Sequence, residues 1–208
     1  MREALRSSRR SRKKRGMGKK LVVFLAVLFI IGVIVAAYLW SSSNNGSPFQ
    51  AFRDHYLGIM NNLDSAEMKS EMLSRIGGEY NFTGLFSWEH SKLTFAQDPA
   101  GWFENPISIL NEGKGICMQF SIVYVSACLA LGHQARLVLA TNTTTWIFIH
   151  AWAEVYSNGS WVSVDPSDQV WNQPSRYQSW DWGSHIGYDV RIYAFENGKA
   201  IDVTSNYE

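Results

Sequence analysis

An α+β fold, with a buried helix packed on an antiparallel sheet, is predicted by three features of the 208-residue sequence. From Ile116 to Leu131 no residue is charged, and apolar side chains occur all round the helical wheel. That pattern marks a helix enclosed by its domain rather than lying on its surface. Three strand-like segments follow: ARLVLAT (135–141), WIFIHAWAEVY (146–156) and WVSVD (161–165). Asn158-Gly159, between the last two, is a strong hairpin signal. Helix-rich sequence followed by strand-rich sequence is the order of an α+β domain.

Ahead of that domain the charges are segregated. Residues 1–20 hold ten Lys/Arg and one acid, Glu3. Residues 21–40 carry no charge and one Gly, long enough to span a bilayer as a helix. The basic tail 1–20 fits a cytoplasmic N-terminus and an exported body, with Tyr38 and Trp40 at the outer interface. A cleaved signal peptide is the competing reading. The apolar run is longer than a usual signal core and AAYLWSSS is a poor cleavage site, so an uncleaved single-pass anchor is expected. Residues 41–50, opening SSSNNGSP, read as a polar linker, and 51–208 as the exported domain. Asn45, Asn81, Asn142 and Asn158 head N-x-S/T triplets, which would place each on the surface if glycosylated.

The domain's elements can be taken in order. DSAEMKSEMLSRIGG (64–78) predicts a helix with Asp64 as cap, Arg75 in its last turn and Gly77-Gly78 at its end. Residues 79–106 read as aromatic and irregular, and Pro106 opens a short helical turn. Gly132 marks the end of the uncharged helix, with His133 in a capping position, and Arg136 reads as a strand-end charge. A terminal strand is expected around VRIYAF (190–195). The Trp-rich stretch 170–185 fits either a wall of a cleft or a loop packed over a small core.

After residue 20, nine Lys/Arg stand against 17 Asp/Glu, an acidic body that argues against nucleic acid as its partner. Cys117 and Cys128 are the two cysteines. On one helix they would stand about 16 Å apart, too far to pair. Cys128, within VSACLALG, fits apolar packing. Cys117 falls in the first turn of the buried helix, where unpaired N–H groups and the positive dipole end favour a thiolate. Gly113 and Gly115 before it allow a tight turn and leave room for a substrate backbone.

A thiol nucleophile needs a base and a group to orient that base. A turn centred on Asn158-Gly159 pairs Ser157 with Ser160, which sets Trp152 opposite Asp165 and makes His150 the diagonal neighbour of Asp165 on the same face. Asp165 could then fix the tautomer of His150 and leave its other ring nitrogen for the thiol. A register slip of one residue would separate the two. Taken singly, each residue has a plainer reading: a packed thiol, a satisfied core histidine, a turn aspartate before Pro166. Glu154 shares the His150 face without an assigned role, and His55, His90 and His185 lack metal-ligand spacing.

GKGICMQFSIVYVSACLALGHQARLV, followed by HAWAEVY and GSWVSVDPS, resembles the core of the transglutaminase-like superfamily over roughly residues 100–167. The resemblance implies a papain-like arrangement with Cys117 as nucleophile, His150 as general base and acid, and Asp165 as orienter. It also implies Trp102, before PISIL, as an oxyanion donor beside the cysteine's own N–H. No cofactor is implied. The expected substrate is a peptide or protein amide, attacked by acyl transfer or hydrolysis through a thioester. Ile116 and Met118 flank the cysteine where animal transglutaminases carry Gln and Trp, and no calcium-spaced acidic loop is present, so the likeness is to the microbial and archaeal branch. Two other classes compete: a catalytically silent binding or structural module, and a papain-type protease, which would want a Gln shortly before the cysteine. Residues 103–116 contain none.

Overall fold

The structure, a computed structural model, describes residues 47–78, 80–96, 104–178, 189–196 and 198–207. The expected anchor 21–40, most of the linker, and Trp102 lie outside the described residues. Among the described residues no helix is long and apolar enough to cross a membrane.

The first described helix, α1 (Pro48–Leu63), begins inside the segment read as linker, so residues 48–50 form its first turn. Its buried residues Phe52, Tyr56, Ile59, Met60 and Leu63 recur at helical spacing and form one apolar stripe. Phe52 and Tyr56 both pack their rings on Phe195. Helix α2 (Ala66–Ile76) is capped by Ser65, whose hydroxyl accepts from the Met68 amide, rather than by Asp64. Asp64 instead pairs with Lys69 at 2.6 Å. Gly77, at φ 70°, closes the helix in the left-handed region where glycine costs least. The segment read as irregular holds helix α3 (Phe82–His90), started by Asn81, whose side chain accepts from the Gly84 amide at 2.8 Å. The Asn81 oxygen is thus occupied as a cap.

A two-stranded parallel pair, β1 (Thr94–Phe95) and β2 (Lys114–Gly115), flanks helix α4 (Pro106–Glu112). Helix α5 (Cys117–Ala130) follows at once. Every residue of it from Met118 to Cys128 is buried, as its lack of charge requires. Each large apolar side chain so enclosed stabilises the fold by about 1.5–3 kcal/mol. Gly132 (φ 80°) ends the helix, and the His133 amide donates back to the Cys128 carbonyl at 2.9 Å.

The remaining strands are β3 (Ala135–Asn142), β4 (Ile147–Ser157), β5 (Ser160–Asp165), β6 (Val170–Trp171), β7 (Val190–Glu196) and β8 (Lys199–Asp202). They form an antiparallel sheet in the order β6-β5-β4-β3-β7-β8. The terminal strand expected near VRIYAF is therefore internal, inserted between β3 and β8. All eight residues of β3 are buried because both sheet faces are covered. Leu137, Leu139, Ala151, Ala153, Val155, Val164 and Phe195 join the helices in the main core. On the other face Val138, Ala140, Trp152, Ile192 and Ala194 build a second cluster with Tyr177, Val203 and Tyr207.

Arg136, the second residue of β3, is a strand-end charge as expected, and it is buried. Its guanidinium donates to Glu154 at 2.5 Å and Glu196 at 3.2 Å and lies 4.0 Å over the Trp161 ring. Asn142 is also buried, its side-chain oxygen accepting from the Thr144 and Thr145 amides, which removes it as a surface glycan site. Asn158 stays at the exposed hairpin tip, at φ 52° beside Gly159 at φ 83°, the turn that matches the twist of the strands.

Truncating Arg136 leaves Glu154 as an uncompensated buried charge. Arg136→Ala is expected to lower unfolding free energy by about 3–5 kcal/mol, measured by denaturant titration with activity-independent spectroscopy.

Candidate active site

Cys117 opens α5, and the chain immediately before it is tightly held. The Thr94 and Ala96 amides donate to the Gly113 and Gly115 carbonyls, each at 3.0 Å, which fixes the approach to the helix. Ile116 has no side-chain acceptor to cap the helix; instead Gln119 Oε1 reaches back to the Ile116 amide at 3.0 Å. Gly115 is required by this local packing. A Cβ there would lie 2.6 Å from Gln119 Cβ. Gly113, at φ 70°, is the left-handed end of α4. The Ser121 hydroxyl then donates to the Cys117 carbonyl at 2.8 Å.

The β4–β5 hairpin has the register the turn predicts: Ser157 faces Ser160 and Ala153 faces Val164. His150 Nε2 donates to Asp165 Oδ2 at 2.6 Å, and both side chains are buried. With Nε2 so engaged, Nδ1 is the nitrogen left for the thiol, and the Cys117 side chain hydrogen-bonds His150. Cys117 keeps partial exposure. A bulge between Ala140 and Thr141 pairs them with His150 and Phe148, so Ile149 is the extra residue, adjacent to the histidine. Bulges of this kind re-aim side chains next to reactive centres.

Asp165, fully buried, is supported by more than the histidine. Its Oδ1 accepts from the Ser167 hydroxyl (2.7 Å) and the Asp168 amide (3.2 Å), and its Oδ2 from the Tyr177 hydroxyl (3.1 Å). Tyr177 stacks on Trp152 at 4.3 Å between ring centroids, and Trp152 lies beside His150 at 5.9 Å. Trp152 Nε1 donates to the Tyr207 hydroxyl, which donates to Glu154. His90 Nε2 donates to the Pro166 carbonyl at 2.6 Å and so ties α3 to the residue after Asp165.

Burial pushes the His150 imidazole down, but its bonds to Asp165 and Cys117 outweigh burial and lift it to about 9. Burial also pushes Asp165 up. The His150 bond and charge, with Ser167 and the Asp168 amide, overcome it and hold the carboxyl below its ordinary range. The arrangement can carry a charged imidazolium and carboxylate side by side next to a partly exposed thiol.

Three of the four residues singled out from the sequence, Cys117, His150 and Asp165, come together. Trp102 lies outside the described residues. Tyr177 enters through contacts between distant segments, which no local pattern signals; strand alternation puts Glu154 on the His150 face, but its partners Arg136 and Tyr207 come from elsewhere in the chain.

Residues 79–166 match the family model described as the transglutaminase-like superfamily. Curated relatives include the peptide-N(4)-(N-acetyl-beta-glucosaminyl)asparagine amidases of Drosophila melanogaster, 37% identical over 106 residues, and Gallus gallus, 31% identical over 107. In both cases the matched segment covers 50% of this chain and 15% of the relative. In fold the chain is similar to the crystal structure of Rad4–Rad23 bound to a 6-4 photoproduct UV lesion, with a TM-score of 0.52 and 14% identity, covering 74% of this chain and 46% of that one.

Because its bonds raise His150 above an unfolded value near 6.5, the pair adds stability that is complete below about pH 6.5 and is lost as pH rises through about 9. The imidazole NMR titration of the wild type is expected to centre near 9. Asp165→Asn is expected to lower that midpoint by about one unit or more. Gly115→Ala is expected to cost about 1–3 kcal/mol in thermal or chemical unfolding, because its Cβ overpacks Gln119.

An α+β core with its uncharged helix on an antiparallel sheet, and a family model matching residues 79–166, together make this chain similar to the transglutaminase-like superfamily.

Proposed function

We propose that the domain is a thiol amidase that opens an amide bond of a peptide or glycopeptide through a thioester on Cys117. The observation that carries this reading is the hydrogen-bonded line from Cys117 through His150 to a four-times-supported Asp165. Glycosyl-asparagine amides enter as a substrate class through the names of the curated relatives.

In the proposed cycle the Cys117 sulfur, its proton passed to His150, attacks the amide carbonyl. The oxyanion is held by the Cys117 backbone N–H and by Trp102. His150 gives its proton to the leaving amine as the C–N bond breaks, leaving a thioester. Water then attacks that thioester while His150 takes its proton; the C–S bond breaks and the carboxylic acid departs. An amine in place of water would complete a transamidation. Asp165 keeps the imidazole oriented and balances its charge in each step. No cofactor takes part in this scheme.

Residues 21–40 are proposed to anchor the chain as a single transmembrane helix, with residues 1–20 cytoplasmic and the domain outside. A domain so held would act on substrates at the cell surface.

The test is incubation of the full chain in detergent with N-glycosylated and unglycosylated peptides, followed by mass spectrometry. Amide cleavage, with a Cys117 thioester trapped on rapid acid quench, is the expected result. Cys117→Ala should abolish it, and His150→Ala should lower kcat by about 10²-fold or more. Intact substrates of every kind, together with a Cys117 that alkylates no faster than Cys128, would instead indicate a silent binding module.

A further inference from the structure

Glu89, near the end of α3, is a buried acid with no part in the proposed cycle. Its side chain is completely enclosed. Neither carboxyl oxygen has a hydrogen-bond partner among the described residues. Asp165, equally enclosed, has four. The two acids are both enclosed and near enough for the charge of Asp165 to act on Glu89. His90, next to Glu89 in sequence, bonds the carbonyl of Pro166, next to Asp165. The other titratable groups that face Glu89 are Tyr124 and Cys128 of α5. Tyr124 spends its hydroxyl proton on the Phe82 carbonyl. Neither Tyr124 nor Cys128 can supply a positive charge.

Two carboxylates enclosed together cannot both stay ionised. The donors decide which one carries the charge. All of them point at Asp165, and none at Glu89. We propose that Glu89 and Asp165 form a buried carboxyl pair that holds a single negative charge, with Glu89 keeping the proton through the working range so that Asp165 stays anionic beneath His150. Burial, and after it the Asp165 charge, push the Glu89 carboxyl well above its ordinary range, in agreement with this allocation. Glu89 is thus a positioning residue that acts through Asp165. The proposal rests on the reading of Asp165 as the partner of a working His150.

The experiment is infrared titration of the full chain in detergent against its Glu89→Gln variant, with the His150 midpoint followed by NMR and Cys117 alkylation measured on the same samples. At pH 7 the difference spectrum is expected to show the carbonyl band of a protonated carboxylic acid. Glu89→Gln should leave the His150 midpoint within about 0.3 unit, since one uncharged group replaces another. Asp165→Asn, by removing the neighbouring charge, should lower the pH at which the acid band vanishes by about one unit or more. Carboxylate bands at pH 7, a His150 midpoint that falls by about one unit in Glu89→Gln, or an acid band indifferent to Asp165→Asn would each overturn the proposal. The Glu89→Gln comparisons decide the matter alone if Asp165→Asn does not fold. A Cys117 whose alkylation ignores His150, alongside an intact acid band, would instead count against the thiol-amidase reading and leave the carboxyl pair standing.

Discussion

The register of the β4–β5 hairpin is the constraint on which the site depends. Side chains along a strand alternate between faces, so a shift of one residue would carry His150 and Asp165 apart. The Asn158-Gly159 turn prevents that shift by accepting positive φ at both central positions, which few other pairs do without strain. Once Ser157 faces Ser160, Asp165 is delivered to the face that carries His150, and the 2.6 Å bond between them follows. Tyr177, Ser167 and the Asp168 amide then act on a carboxylate already in place.

Two faces of one sheet do different work. The main-core face is apolar and takes the helices, with α5 enclosed at its centre. The opposite face holds the polar groups: His150, Trp152 and Glu154 alternate along β4, with Asp165 and Ser163 beside them on β5. Buried polar groups are tolerable only when their partners are supplied. Here one chain of contacts runs from His150 to Asp165 and Tyr177, and a second from Trp152 through Tyr207 to Glu154 and Arg136. The stacked Trp152 and Tyr177 rings join the two.

What could be read from the sequence was what local rules govern. The enclosed helix is visible because sixteen residues without charge from Ile116 to Leu131 leave no polar face. The hairpin and its register are visible because Asn-Gly specifies a turn. Helix α1 carried a usable signal in the spacing of Phe52, Tyr56, Ile59, Met60 and Leu63, but it starts within a segment whose polar opening suggested linker. Helix α3 is short and aromatic, and its only strong marker is the Asn81 cap. The roles of Tyr177, Arg136 and Glu89 could not be read at all. Each depends on a partner from another part of the chain, and an isolated Arg or Glu in sequence is by default solvated. The place of β7 inside the sheet is likewise a matter of topology, which strand-like residues do not encode.

That internal place of β7 bears on the order in which the molecule can be completed. Cys117, His150 and Asp165 lie within a stretch of 49 residues, close enough in the chain to meet early. The sheet that carries them is not finished until β7 has slid in beside β3 and Tyr207 has reached Trp152 and Glu154. Synthesis runs from the N-terminus, so a growing chain acquires its reactive residues well before the strand that closes the sheet around them. Until then β3 is an unpaired edge with an apolar run from Leu137 to Ala140, the kind of surface that invites wrong pairing. For this fold the interval between residue 142 and residue 196 is therefore a period of exposure, and the length of the intervening segment sets how long it lasts.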